Sequence, residues 1–487
     1  MRFFKVLMVL AIALSLTAIA YAETQSVKIS GDLTMRTINR GAYDLNDTTT
    51  TASGVRTGNQ DPWQNYYMTT AEIQLDADLT DNVSAVIRLY NQRDWNVTTK
   101  SIMVGTAAQQ GYTANATEFA VGVDLAYVEL KEFLYSPLTL KIGRQDIFIG
   151  RGFVVGGLFQ DPTNSINAME YSCVTSFDAI RATLDYDPWT IDAFAALVGE
   201  GAIDARDDIA LYGINVGYIF DVYNAETEAY WFLKDDRSLE TWNIKQHNTV
   251  ANLGMRGSFD PIENWTVAAE GAVQFGNYVG SRTQLERRSR SAYAIDAMIE
   301  CRYFQEKFAW KPKLGVEYIY YSGNKNIASE NPQSTGSYTG WDIMYRGKWD
   351  SKIRDYQGLY YISQQDLSNQ RLDMLPTYPD AAFSNQHQII LMGSVQPTDS
   401  LSMALKYFNF WQQYSTYHRG PTGDVNAGDR IDDGTYLGGE IDLMVSWDYT
   451  EDVSFGLTGA WYFPGKHYYN ESDDVATDVV GSMKLSF

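Results

Sequence analysis

The chain has 487 residues, a formal net charge of −22, 4 histidines and 2 cysteines. The acidic balance excludes nucleic acid as a partner, since that calls for a basic surface. Two cysteines cannot frame a disulfide scaffold, and no interior run of eighteen apolar residues offers a membrane helix.

The chain opens with Arg2 and Lys5, the apolar core "VLMVLAIALSL" and the small-residue site "AYA" at Ala20–Ala22. This predicts a secretory signal peptide over residues 1–22 and a mature chain over 23–487. From there a period of two recurs. "SVKISGDLTMR" sets Val27, Ile29, Leu33 and Met35 against Lys28, Asp32 and Arg36. "AEIQLDADL", "TVAAEGAVQF" and "GGEIDLMVSW" alternate in the same way, as amphipathic strands do. About eighteen such segments are predicted, at 27–37, 66–79, 83–95, 119–133, 138–149, 175–186, 190–200, 208–221, 225–235, 248–260, 265–279, 291–306, 312–323, 387–397, 401–413, 436–449, 453–464 and 477–487. Residues 356–363 are left to a loop, because a further strand would break the even count.

The connectors alternate in length. Turns such as Asp81-Asn82, Asp187-Pro188 and Glu451-Asp452 are tight. The longest polar connectors span about 38–65, 96–118, 150–174, 324–386 and 414–435. Short turns on one rim and long loops on the other predict an all-β transmembrane antiparallel barrel of the outer-membrane kind, with long extracellular loops. The apolar register then faces lipid, since hydrocarbon offers charges no partner, and outer-membrane lipid and lipopolysaccharide surround it. Cys301, between Ile299 and Tyr303, falls on that face. Tyr186, Trp189, Tyr218, Trp265, Trp447 and Tyr449 suit an interfacial girdle.

The polar register faces a lumen wide enough at this strand number for an aqueous channel. It carries Lys28, Asp32, Arg36, Glu72, Asp76, Arg88, Lys141, Arg181, Asp185, Asp192, Glu226, Glu228, Arg256, Glu270, Asp296, Glu300, Arg302, Glu317, Lys406, Glu440 and Asp442. Most of these pair across strands, and a smaller set lines the narrowest point. The stretch "KIGRQDIFIGRGFVVGG" (141–157) lacks the spacing of a phosphate loop. Its alternation breaks near Arg144, and its glycines mark a bend into the third loop. Arg144 and Arg151 are thereby candidate pore-mouth charges.

The segment "AYVELKEFLYSPLTLKIGRQDIFIGRGFVVGG" and the late strand "LGGEIDLMVSW" resemble the alginate-export outer-membrane family. The resemblance implies an electropositive passage for a polyuronate, lined by arginines and partly occluded by loops. It maps that family's GRQ arginine onto Arg144. From register alone, Arg88, Arg181, Arg256 and Arg302 are the other inward guanidinium candidates, and guanidinium binds carboxylate in a directed, bidentate way. The inward carboxylates outnumber the inward cations; they either pair with the arginines or make the lumen tolerant of cations.

The terminal "VVGSMKLSF" places Phe487 in register on a last alternating strand, resembling the signal read by the barrel-assembly machinery. The function expected is passive passage or export of an anionic polysaccharide or smaller acidic solute. The alternative is a general or sugar-selective porin, with Tyr90, Tyr230, Phe408 and Phe410 as inward stacking faces. An enzyme is not expected: His247, His387, His418 and His467 sit at strand ends or in loops, and no G-x-S-x-G is present. No cofactor is called for, and no metal: the acidic run Gly428–Gly434 lacks EF-hand spacing and reads as a solvated loop. The aromatic-rich loop 324–386 either packs on itself or folds into the mouth as a lid.

Overall fold

The computed structural model describes residues 26–43, 45, 63–95, 120–162, 165–199, 208–237, 247–279, 287–324, 336–356, 383–414, 435–466 and 474–487. The signal peptide, the acidic run 428–434 and residues 357–363 lie outside them. Eighteen strands follow in chain order: β1 (Ser26–Gly41), β2 (Trp63–Thr80), β3 (Val83–Asp94), β4 (Gly122–Leu130), β5 (Leu138–Gln145), β6 (Phe177–Tyr186), β7 (Trp189–Gly199), β8 (Ile209–Ile219), β9 (Glu226–Asp236), β10 (Asn248–Ile262), β11 (Trp265–Val279), β12 (Arg287–Cys301), β13 (Lys313–Tyr321), β14 (Gln386–Thr398), β15 (Leu401–Gln412), β16 (Tyr436–Asp448), β17 (Val453–Pro464) and β18 (Ala476–Ser486). Each pairs antiparallel with the next, and β1 pairs with β18 to close the barrel. Closure leaves no edge whose backbone groups would go unpaired in hydrocarbon.

The two faces separate as the alternation demands. Ile29, Ile73, Leu253, Val316, Leu391 and Leu457 stand outward and exposed, while their neighbours in sequence turn in. Cys301 shares the outward register with Ile299, flanked across the ladder by Trp265 and Leu314. The six girdle aromatics ring the turn side, where Trp189 meets Tyr218 with ring centroids 4.7 Å apart. A second set that the sequence reading did not single out rings the loop side, including Tyr293 with Tyr320 and Trp411 with Tyr436. Tyr436 and Trp447 are eleven residues apart on β16. At about 3.3 Å per residue and a tilt of about 40°, they stand about 28 Å apart along the membrane normal, close to the height of an outer-membrane apolar band.

The seam is closed by the chain end. The Phe487 amide donates to the Gly31 carbonyl, and the Gly31 amide to the Phe487 carbonyl, both at 3.0 Å. A side chain at position 31 would meet the Phe487 ring at 2.6 Å, so glycine is required for the ring to lie there.

Candidate functional site

Two loops fill the middle of the barrel. L3 joins β5 to β6, and L7 joins β13 to β14. L3 begins where the alternation of β5 breaks. Gly143 adopts φ +125°, and a Cβ there would run into the Ala126 carbonyl. Gln145, fully buried, donates its carboxamide to the carbonyls of Lys141, Gly143 and Ala179. These contacts satisfy backbone that the bend removes from the ladder. From Asp146 the chain runs inward, not out to solvent. Ile147, Ile149, Phe153, Val154 and Val155 are buried against inward side chains such as Phe194, Phe232 and Phe408. Further along, L3 is tied to β3: Gln92 Oε1 accepts from the Cys173 amide at 3.0 Å, and Asp94 accepts from the Asn167 amide at 2.8 Å.

L7 meets L3 in the lumen. Val155 and Tyr345 form a parallel bridge. The Gly156 amide donates to the Tyr345 carbonyl (2.8 Å), and the Gly347 amide to the Gly152 carbonyl (2.9 Å). The backbones touch because Gly156 and Gly347 face each other: a Cβ on Gly156 would lie 2.8 Å from Gly347 Cα. The two loops thus form one plug.

Charged contacts hold the plug to the wall. Arg151 of L3 donates to Asp296 (3.3 Å) and Glu317 (2.7 Å). Lys348 of L7 reaches the same two carboxylates at 3.0 and 3.4 Å. On the far wall, Glu440 accepts from the amides of Lys352, Ile353 and Arg354 at 2.8–2.9 Å, and Asp442 from Lys352 at 3.2 Å. Those amides open the helical turn Arg354–Tyr356, where carboxylates complement unpaired N–H groups. Arg346 pairs with Asp350 and lies over the rings of Phe153, Tyr321 and Phe383. Lys234 pairs with Asp342 at 3.2 Å, and Arg40 with Glu170 and Asp478.

The structure re-sorts the candidate residues. Arg88 (with Asp124, Glu72 and Asp146), Arg181 (with Asp192), Arg256 (with Glu226 and Glu228) and Lys141 (with Glu129) stand on the inward register, each in an ion pair. Arg36 differs. It makes no ion pair among the described residues, donating to Thr70 at 3.2 Å and lying over the Tyr171 ring. Arg144 is at the rim. Its ladder partners Ala126 and Asp178 share the exposed register of Val128 and Ile180, and it binds Asp178 and the L3 residue Gln160. Arg151 is not at the mouth but deep inside, because L3 folds inward. Arg302 falls just past β12 and donates to Asp260 and Thr266 at the turn rim. Glu440 and Asp442 face inward but are sealed under L7. Tyr90, Tyr230, Phe408 and Phe410 are inward and buried, so they offer a sugar no open face.

Sequence reasoning missed Lys348, Arg346, Asp350, Arg40 and Asp94. Asp94 continues the inward alternation of Arg88, Tyr90 and Gln92 in "RLYNQRD", which is the signal that could have found it.

Burial, with the neighbouring Asp350, pushes the Asp355 carboxyl up to about 7, against the pull of Arg346. Asp350 is held at about 2 by Arg346 and Lys348, against its own burial. The raised value means the docked plug favours protonated Asp355. That contribution is complete below the ordinary carboxyl range and is lost as pH rises through about 7. Bilayer conductance is therefore expected to rise between about pH 4 and pH 7 and to level off above that, and Asp355→Asn to flatten the rise. An unchanged rise in that variant would assign it to another group.

A closed eighteen-stranded barrel with an apolar outer band, two aromatic girdles and a charged lumen defines a channel of the bacterial outer membrane. The alginate export family matches residues 45–349 and 377–482, and the chain belongs to that family. No curated protein matches it. Among solved structures, OccK9 (OpdG) of Pseudomonas aeruginosa is 11% identical with a TM-score of 0.52, over 95% of this chain and 99% of that one. OccAB4 of Acinetobacter baumannii is 9% identical with a TM-score of 0.51, over 96% and 100%. A BenF-like porin from Pseudomonas fluorescens Pf-5 is 9% identical with a TM-score of 0.51, over 95% and 100%. At such identity the likeness is one of fold.

Proposed function

We propose that this channel passes an acidic polysaccharide such as alginate, or a related acidic solute. The family match carries the reading, and the lumen is compatible with it. Arg88 and Arg181 stand inward on different strands, each about one-fifth exposed and oriented by a neighbouring carboxylate. A guanidinium held by one carboxylate keeps further N–H groups for another. A passing uronate therefore exchanges with wall carboxylates and meets no bare positive surface. Lipid and lipopolysaccharide around the barrel, and recognition of Phe487 by the barrel-assembly machinery, belong to the same reading.

Planar bilayers test it. Oligouronate is expected to block or carry current at concentrations where a neutral oligosaccharide of equal length does not. A cation-selective pore indifferent to oligouronate would remove the acidic substrate, and block by the neutral sugar alone would favour the sugar porin.

A further inference from the structure

Between the plug and the turn side of the barrel lies a cavity of about 310 Å³, within the range of small-molecule sites, about 300–1,000 Å³. Inward residues of β12 to β15 wall it. Gly315, Ser394 and Ala404 keep that wall shallow, and Trp349 of L7 faces it from the plug.

Four cations line the space, and three are already matched. Lys313 pairs with Glu300 at 2.6 Å, while Arg151 and Lys348 share Asp296 and Glu317. Asp350 also lines the cavity, but its carboxylate is engaged by Arg346 and Lys348. Lys406 stands opposite Asp442 across the β15–β16 ladder, and its charge acts on the Asp442 and Asp350 carboxylates without direct contact. It makes no ion pair among the described residues, and its ammonium donates to the Asp350 carbonyl at 3.5 Å. A half-buried ammonium with one long neutral hydrogen bond keeps two donors for an anion. Trp349 also lines the cavity, its ring held by edge-on and tilted contacts with Phe159 and Phe383.

We propose that this cavity is a subsite for a compact carboxylate-bearing sugar, with the carboxylate on Lys406 and the ring against Trp349. The small wall residues make room for the ring, and a polyuronate would enter one unit at a time. This rests on the acidic-solute reading above, which it makes specific to one place on the turn side of the plug.

The test uses the full barrel in planar bilayers, with D-glucuronate or D-glucose added from the turn side. D-Glucuronate is expected to interrupt the current at concentrations where D-glucose does not. Lys406→Met is expected to weaken the glucuronate block about tenfold, Lys406→Arg to restore most of it, and Lys311→Met, on the exposed turn rim, to change nothing. Heat-modifiable migration on gels confirms a folded barrel. Should Lys406→Met fail to fold, Lys406→Gln and Ala404→Leu probe the same cavity. Undiminished block in the Lys406 or cavity-filling variants overturns the subsite. So does absence of glucuronate block while oligouronate still acts, an outcome that leaves the channel reading intact. If neither acid acts, both fall.

Discussion

Replacing Asp296 with Asn and Glu317 with Gln together is expected to open the channel. Both carboxylates are buried, at 0% and 4% exposure, and both serve Arg151 and Lys348 at once. Neutralising them strands Arg151 on the inner face of the plug and leaves Lys348 with Asp350 alone. Leaving a buried charge unpaired costs about 3–5 kcal/mol, and about 1.4 kcal/mol is a factor of ten in an equilibrium. The docked state thus loses about two to three orders of magnitude against an undocked one. The barrel wall should survive, since its ladders do not involve these side chains. Single-channel conductance should rise several-fold, and L3 and L7 should become accessible to protease in intact barrels. Wild-type conductance in the folded double variant would show that these contacts do not hold the plug.

Gly347→Val acts on the plug from within. A Cβ at position 347 would lie 2.5 Å from the Gly156 carbonyl oxygen, with backbone on both sides of the clash. No rotamer relieves such a contact, so the loops must part. Parting loses the Gly156–Tyr345 and Gly347–Gly152 hydrogen bonds, each worth about 0.5–1.5 kcal/mol, on top of about 1–3 kcal/mol for overpacking. The expected result is a barrel that migrates normally on gels, with L7 cut by protease while Arg151 still anchors L3. A normal, protected plug in this variant would mean that the loops are held by the wall and not by each other.

The strands were legible because each carries its own evidence. Alternation assigns faces without tertiary knowledge, and a one-residue slip would put Arg88 or Glu270 into lipid. The predicted segments 83–95, 265–279 and 453–464 match β3, β11 and β17 within a residue or so. The end of β12 was less legible: alternation runs past Cys301, so Arg302 was read as luminal, while its amide actually caps the Asn264 carbonyl in the turn. The plug was legible only in part. "DIFIGRGFVV" is too apolar for a solvated loop, and "GWDIMYRGKW" too aromatic. The pairing of these stretches depends on two glycines almost two hundred residues apart, which no local pattern reveals. The luminal charges were found by register, and Arg88, Arg181 and Arg256 have partners on neighbouring strands; the partners of Asp296 and Glu317 come from the loops, so Arg151 and Lys348 could not be matched to them in advance.

The plug also constrains the order in which the molecule can be made. Every surface it binds comes from a different part of the wall: β3 for L3, β12 and β13 for the shared cations, β16 for the helical turn. Its two halves are synthesised far apart, and apart from the ties of L3 to β3 their docking surfaces come from strands made after L3. Contacts of such long sequence separation form late. The seam at Gly31 and Phe487 joins residues farther apart still, so by the same measure the docking of the plug and the closing of the wall both belong to the last stage of folding, and the channel acquires its bore only when the whole chain is in place.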